Sequence, residues 1–119
     1  MDEHDAEQTE RAGREIVTEL FARVRRGDTS AADLFAEDGV ITGPGGYEVV
    51  GRDAIREHYA RNIAQFGPQP EIEVLLAEPP WFVTVLKVGL RDGGANRALD
   101  LFEVGDDGIT RLELWSQRA

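Results

Sequence analysis

Residues 97–115, RALDLFEVGDDGITRLELW, decide how the chain folds. Two runs rich in leucine, phenylalanine and β-branched residues flank the sequence GDDG, which is typical of a β-hairpin. Because successive side chains of a strand point to opposite faces, the leucines are predicted to share one face: Leu99, Leu101, Leu112 and Leu114. The other face is predicted to carry valine together with polar and aromatic residues: Asp100, Phe102, Val104, Arg111, Glu113 and Trp115.

Two carboxylates are predicted on that second face, Asp100 and Glu113. If Val104 lies opposite Ile109, the two acids are direct cross-strand neighbours, and if the turn is the dipeptide DG they are diagonal neighbours. Two carboxyl groups beside aromatic rings cannot both stay ionised without a large free-energy cost. One of them would therefore have a raised pKa and donate a proton near neutral pH. The alternative is a solvated face on which Arg111 neutralises both acids.

Helices are predicted ahead of the hairpin. Apolar residues recur at helical spacing over residues 7–26, where acids crowd the start and arginines crowd the end, as suits the helix dipole. A short helix fits TSAADLFAED, with Thr29 or Ser30 as its cap. GVITGPGGYEVVG then predicts two short strands around a loop.

The third helix, RDAIREHYARNIAQF, is followed by a change of period. Four segments rich in β-branched, aromatic and aliphatic residues predict a meander: EIEVLLAE, WFVTVLKVGLR, RALDLFEV and ITRLELW. The chain is therefore predicted to be a single α+β domain over residues 1–119, with three N-terminal helices packed on a mainly antiparallel sheet. Residues 1–6 are predicted to be frayed.

The composition argues against several classes of protein. The formal charge of −10 follows from 23 acids and 13 bases, so the chain repels nucleic acid and anionic membranes. There is no cysteine, and the two histidines, His4 and His58, are far apart in sequence, so no metal and no cofactor is predicted. The acidic start and the lack of a long apolar run predict a cytoplasmic protein.

Three segments, FAEDGVI, GRDAIREHYA and DLFEVGDDG, carry a resemblance to a known family. From about Val17 to Trp115 the chain resembles the SnoaL-like branch of the superfamily of nuclear transport factor 2 and ketosteroid isomerase. The resemblance implies a cone-shaped α+β barrel with a curved sheet around a pocket, usually in a homodimer. It matches Asp100 to the acid that hydrogen-bonds the developing oxyanion in ketosteroid isomerase, and Tyr59 to a tyrosine of the same network.

Two departures from that isomerase bear on the reaction. Its general-base aspartate falls at Gly43 and its oxyanion tyrosine falls at Leu20, so neither group can act here. The sequence therefore argues against steroid isomerisation by that mechanism.

The resemblance also directs the second hairpin face into the pocket. Asp100, Glu113 and Arg111 would then project into a cavity walled by Phe102 and Trp115. The leucine face would lie outside, where its apolar area would favour dimerisation.

Two residues outside the hairpin complete the candidate site. By the resemblance His58 points to the pocket, where its imidazole would serve as a base near neutral pH. Its alternative is a partly exposed helical histidine. Trp81 would cap the pocket, or else serve as a core or rim aromatic.

These residues lead to two hypotheses of function. The first is a cofactor-independent isomerase, cyclase or epoxide hydrolase, in which Asp100 and Glu113 move protons on a small apolar substrate. Limonene-epoxide hydrolases resemble this site only in part, because Ala98 stands where their arginine is expected. The second hypothesis is a dimeric ligand-binding or scaffold module without chemistry.

Overall fold

The computed structural model describes residues 3–117. Within that range two α-helices, one 3₁₀ helix, one 3₁₀ turn and six strands follow in an order that confirms the predicted α+β class. They are α1 (Glu3–Arg25), the 3₁₀ helix (Thr29–Leu34), β1 (Phe35–Thr42), the 3₁₀ turn (Pro44–Gly46), β2 (Glu48–Val50), α2 (Arg52–Phe66), β3 (Gln69–Glu78), β4 (Trp81–Gly89), β5 (Ala95–Gly105) and β6 (Gly108–Gln117).

The six strands form one sheet in the order β2-β1-β6-β5-β4-β3. β1 and β6 run parallel, and the other neighbours are antiparallel, which confirms the mainly antiparallel prediction. Over the described residues the sheet stays open, with β2 and β3 as its edges. The helices cover one face of the sheet, which we call the inner face. No helix in residues 3–117 has both the length and the apolar character needed to cross a membrane.

Two details at the N-terminal end differ from the sequence prediction. Residues 3–6, predicted to be frayed, belong to α1, while residues 1 and 2 lie outside the described residues. The second helix is a single 3₁₀ segment, because Phe35 already begins β1. Its cap is Asp28, whose carboxylate accepts a hydrogen bond from the Ser30 amide at 2.9 Å.

Helix α1 packs on the inner face through aromatic side chains of two neighbouring strands. The ring of Phe21 meets that of Phe102 edge-on, with centroids 5.8 Å apart. At the middle of α1, Gly13 lies so close to Phe82 that a Cβ at this position would be 2.1 Å from the ring. At the end of α1, Nε of Arg25 donates a hydrogen bond to the carbonyl oxygen of Pro70 on β3. The core therefore lies between α1 and the middle of the sheet.

A β-bulge in β6 decides which side chains reach the inner face. The β5–β6 turn places Val104 opposite Ile109, as one of the two predicted registers required. The next pair, however, is Glu103 and Arg111, so Thr110 is an extra residue without a partner on β5. Its hydroxyl lies 3.1 Å from the carbonyl oxygen of Glu103 and 2.7 Å from that residue's Oε1.

Beyond the bulge every residue of β6 is displaced by one position relative to the predicted pairing. Asp100 lies opposite Leu114, and Leu101 lies opposite Glu113. The prediction that Asp100 and Glu113 share a face was therefore wrong, because one extra residue moves all following side chains to the other face.

The predicted leucine face is divided by the same displacement. Leu112 and Leu114 lie on the inner face with Asp100, whereas Leu99 and Leu101 lie on the outer face with Glu113. The continuous apolar face that motivated the dimer does not form. The homodimer itself stays a prediction of the family resemblance.

The close approach of Gly13 to Phe82 generates a prediction. Glycine to alanine within a helix usually stabilises by up to about 1 kcal/mol. Gly13→Ala is expected to destabilise instead, by about 1–3 kcal/mol, because the buried ring of Phe82 must shift to admit the new methyl group. Urea unfolding of Gly13→Ala, Phe82→Leu and the double variant measures this. The smaller leucine should make Gly13→Ala nearly neutral, and a cost that persists in the double variant would contradict the packing.

Candidate functional site

A cavity of about 310 Å³ lies between the inner face, the two α-helices and the loop that joins β1 to β2. Most of its lining is apolar, including Phe21 from α1, Leu86 from β4 and Leu112 from β6. The side chains that bring polar atoms to it come from the loop, α2 and β5: Tyr47, His58, Tyr59, Asn62, Asn96 and Asp100. The cavity therefore combines an apolar wall with a few hydrogen-bonding groups, as small-molecule sites do.

Asp100 is the buried acid of this cavity. It lies on the inner face of β5 and is 5% exposed. No hydrogen bond within residues 3–117 involves its carboxyl group. Burial raises the pKa of Asp100 to about 7, since the charged form loses its hydration without gaining a partner. The raised pKa that the sequence predicted from two neighbouring acids thus has a different cause, and near neutral pH the group is available as a proton donor.

Tyr59 and His58 reach the cavity from α2. Tyr59 is buried, with its ring centroid 6.3 Å from that of Phe35 and 5.6 Å from that of His58. Burial raises the pKa of Tyr59, and the charge of Asp100 raises it further, so the phenol keeps its proton. Burial lowers the pKa of His58, and the positive charge of Arg61 lowers it further, so the imidazole is mostly neutral at pH 7. A neutral imidazole can accept a proton, and the role of His58 as base stays a prediction.

Tyr47 is a cavity residue that the sequence analysis missed. It follows the 3₁₀ turn, and its ring centroid lies 6.3 Å from that of His58. A Cβ at Gly43 would lie 2.3 to 2.4 Å from atoms of the Tyr47 ring, so this ring occupies the space that a side chain at position 43 would need. Burial and, second, Asp100 raise the pKa of Tyr47. The sequence feature that could have indicated Tyr47 is the aromatic residue directly after the glycines of GPGGY.

Glu113 and Arg111 lie away from the cavity, which corrects their predicted place in the site. Both are on the outer face beyond the bulge, where Nε of Arg111 donates to Oε1 of Glu113 at 3.0 Å. Both side chains are partly exposed, so this ion pair contributes at most about 1 kcal/mol. Arg111 therefore neutralises Glu113 and leaves Asp100 without a cationic partner.

The three predicted aromatic residues have different positions. Phe102 is fully buried against Phe21 and is not a lining residue of the cavity. Trp81 begins β4 opposite Glu103, is 39% exposed and does not cap the cavity. Trp115 lies opposite Leu99 and therefore on the outer face, not on the predicted face of Asp100. It is 62% exposed and borders only the edge of the cavity. Of the predicted site residues, the cavity thus brings together Asp100, His58, Tyr59 and Trp115.

Metal chemistry has no evident site in the described part of the chain. Among residues 3–117, no three His, Cys, Asp or Glu side chains are grouped so as to hold a metal ion.

These observations define a class of protein: a single α+β domain whose helices and open, mainly antiparallel sheet enclose an apolar cavity with one buried acid. The chain belongs to the SnoaL-like domain family, whose model matches residues 17–112. A comparison with curated proteins gave no match.

Solved structures share the fold at low sequence identity. The epoxide hydrolase/cyclase-like enzyme SalBIII, described for pyran ring formation in the polyether salinomycin, is 22% identical over 91% of this chain and 92% of its own, with a TM-score of 0.80. A putative polyketide cyclase from Sinorhizobium meliloti is 24% identical over 85% and 94%, with a TM-score of 0.77. A hypothetical protein with a ketosteroid isomerase-like fold from Catenulispora acidiphila, in complex with trimethylamine, is 22% identical over 85% and 84%, with a TM-score of 0.78.

The buried acid generates a prediction about stability. The pKa of Asp100 is about 7 in the folded protein, above its ordinary value of 3.8. The folded state therefore binds more protons between these values, and the free energy of unfolding falls as pH rises from about 4 to 7. Asp100→Asn has no titrating group at this position and does not lose stability in this way. The difference between its free energy of unfolding and that of wild type is therefore expected to increase by about 4 kcal/mol from pH 4 to pH 8.

Glu113→Gln is the matched control for that measurement, because it changes an acid of the same hairpin on the outer face. Its stability is expected to stay within about 1 kcal/mol of wild type throughout the range. Urea unfolding at several pH values measures both variants. Equal pH dependence of Asp100→Asn and wild type would contradict the buried, unpartnered acid.

Proposed function

We propose that this protein binds a small apolar molecule and that Asp100 donates a proton or hydrogen bond to an oxygen atom of that molecule. The observation that carries the proposal is a 5%-exposed carboxyl group that borders an apolar cavity and has no hydrogen-bond partner within residues 3–117. A protonated acid in this position is an unsatisfied donor. A carbonyl or epoxide oxygen entering the cavity supplies the missing acceptor.

The reaction class that suits this donor is cofactor-independent isomerisation, cyclisation or epoxide opening. In each of these reactions negative charge develops on an oxygen atom, and a donor in a water-poor site stabilises that charge. His58, mostly neutral and lining the same cavity from α2, is the proposed proton acceptor. The family membership and the similarity to SalBIII and to the putative polyketide cyclase support this class. A binding module without chemistry is the alternative.

A second candidate ligand is an organic ammonium ion. Among residues 3–117, the side chains that line the cavity include several aromatic rings, one acid and no lysine or arginine. With Asp100 ionised, such a cavity suits a cation through charge and cation–π attraction. The relative from Catenulispora acidiphila, crystallised with trimethylamine, supports this ligand class.

The two ligand classes differ in their pH dependence. 1-Tetralone, an apolar ketone whose oxygen only accepts hydrogen bonds, should bind to protonated Asp100. With a pKa of about 7, its affinity is expected to fall up to about 30-fold from pH 5.5 to pH 8.5, as the protonated fraction decreases. Benzyltrimethylammonium carries a permanent charge and should bind more tightly at pH 8.5 if the ammonium reading is correct. Calorimetric titration of both probes measures this.

Asp100→Asn serves as the control for both probes, because the amide donates a hydrogen bond at every pH and never becomes negative. Binding of 1-tetralone to this variant is expected to be independent of pH. The proposal fails if wild type binds the ketone equally well at both pH values. Tighter binding of benzyltrimethylammonium alone at pH 8.5 would replace it with the second candidate.

A further inference from the structure

A buried hydroxyl group beside Asp100 has no role in the site described so far. Thr84 is fully buried on the inner face of β4, between Phe82 and Leu86. Its Oγ1 is shielded from solvent and has no hydrogen-bond partner among residues 3–117. A hydroxyl left in this state costs about 1–3 kcal/mol, which a valine of similar shape would avoid.

The pairing of β4 with β5 places this hydroxyl next to the acid. Thr84 is the direct cross-strand partner of Asp100, and both side chains are buried on the inner face. Side chains in such a pair have Cβ atoms about 4.5–5.5 Å apart, so a rotation about one side-chain bond brings a hydroxyl within reach of a carboxyl oxygen. Asp100 lines the cavity and Thr84 does not. Thr84 therefore lies on the core side of the acid.

We propose that Thr84 is a positioning residue for Asp100. Its hydroxyl donates to one carboxylate oxygen when Asp100 is ionised. It donates more weakly to the carbonyl oxygen of the acid when Asp100 is protonated, so the acid's own proton stays free for a ligand. In both states Thr84 fixes the plane of the carboxyl group, and the second oxygen remains directed at the cavity. The inference rests on the proposed function of Asp100 as the donor, and it names the residue that orients that donor.

The other side chains around Asp100 belong to the lining of the cavity. The titratable side chains that face Asp100 across the cavity come from α2 and from the loop before β2: His58, Tyr59 and Tyr47. The neighbouring elements α1, β4 and β6 present apolar side chains to the same cavity: Phe21, Val24, Leu86, Leu112 and Leu114. None of these groups changes in the variants below.

The test is the pKa of the Asp100 carboxyl carbon, followed by NMR in the wild-type protein, Thr84→Val and Thr84→Ser. A hydrogen bond donated to the charged form lowers a pKa. Thr84→Val, which keeps the shape and removes the donor, is therefore expected to raise the pKa of Asp100 by about one unit relative to wild type. Thr84→Ser keeps the hydroxyl and is expected to retain the wild-type value. Thr84→Ala removes the donor as well, and it replaces Thr84→Val if valine prevents folding.

The outcomes separate this inference from the function on which it rests. An unchanged Asp100 pKa in Thr84→Val or Thr84→Ala overturns the positioning role, and Thr84→Val should then stabilise the fold because it removes an unpaired hydroxyl. A wild-type Asp100 that titrates near 4 contradicts the proposed function instead. A raised pKa in the valine and alanine variants, with a wild-type value in the serine variant, supports the inference.

Discussion

The extra residue at Thr110 is the constraint on which the site depends. In a strand the side chains alternate, so an insertion of one residue reverses the face of every residue that follows. Ile109 before the bulge and Leu112 after it both reach the core, although three positions separate them. The bulge thereby places Leu114 beside Asp100 on the inner face and Glu113 on the outer face. The cavity receives one acid where an unbroken strand would have given it two.

A single acid without a counter-ion makes a different site from a pair. In a pair of acids, one keeps its proton because two neighbouring negative charges repel each other. Asp100 keeps its proton because burial disfavours its charged form. Such a group donates to whatever oxygen replaces the missing partner, and it pairs with a cation once it is ionised. Position 43 adds no second acid, because it is a glycine and the ring of Tyr47 occupies the space beside it.

Much of the fold follows from periodicity, and the errors have local physical causes. The apolar spacing in α1 and α2, and the alternation in β3 to β6, reflect burial on one face and so appear in the sequence. The turn that pairs Val104 with Ile109 was predictable for the same reason. The bulge at Thr110 was not, because threonine suits an ordinary strand position equally well and only the three-dimensional pairing reveals that it is unpaired. Asp100, His58 and Tyr59 were placed by family resemblance, while Tyr47 depends on the path of a glycine-rich loop.

Cross-strand nuclear Overhauser effects between β5 and β6 test this account most directly, because they report the register without reference to any ligand. The account predicts backbone contacts that pair Asp100 with Leu114 and Phe102 with Leu112. Contacts that pair Asp100 with Glu113 and Phe102 with Arg111 would contradict it. In that case both acids would face the cavity, and the single buried donor would no longer describe the site.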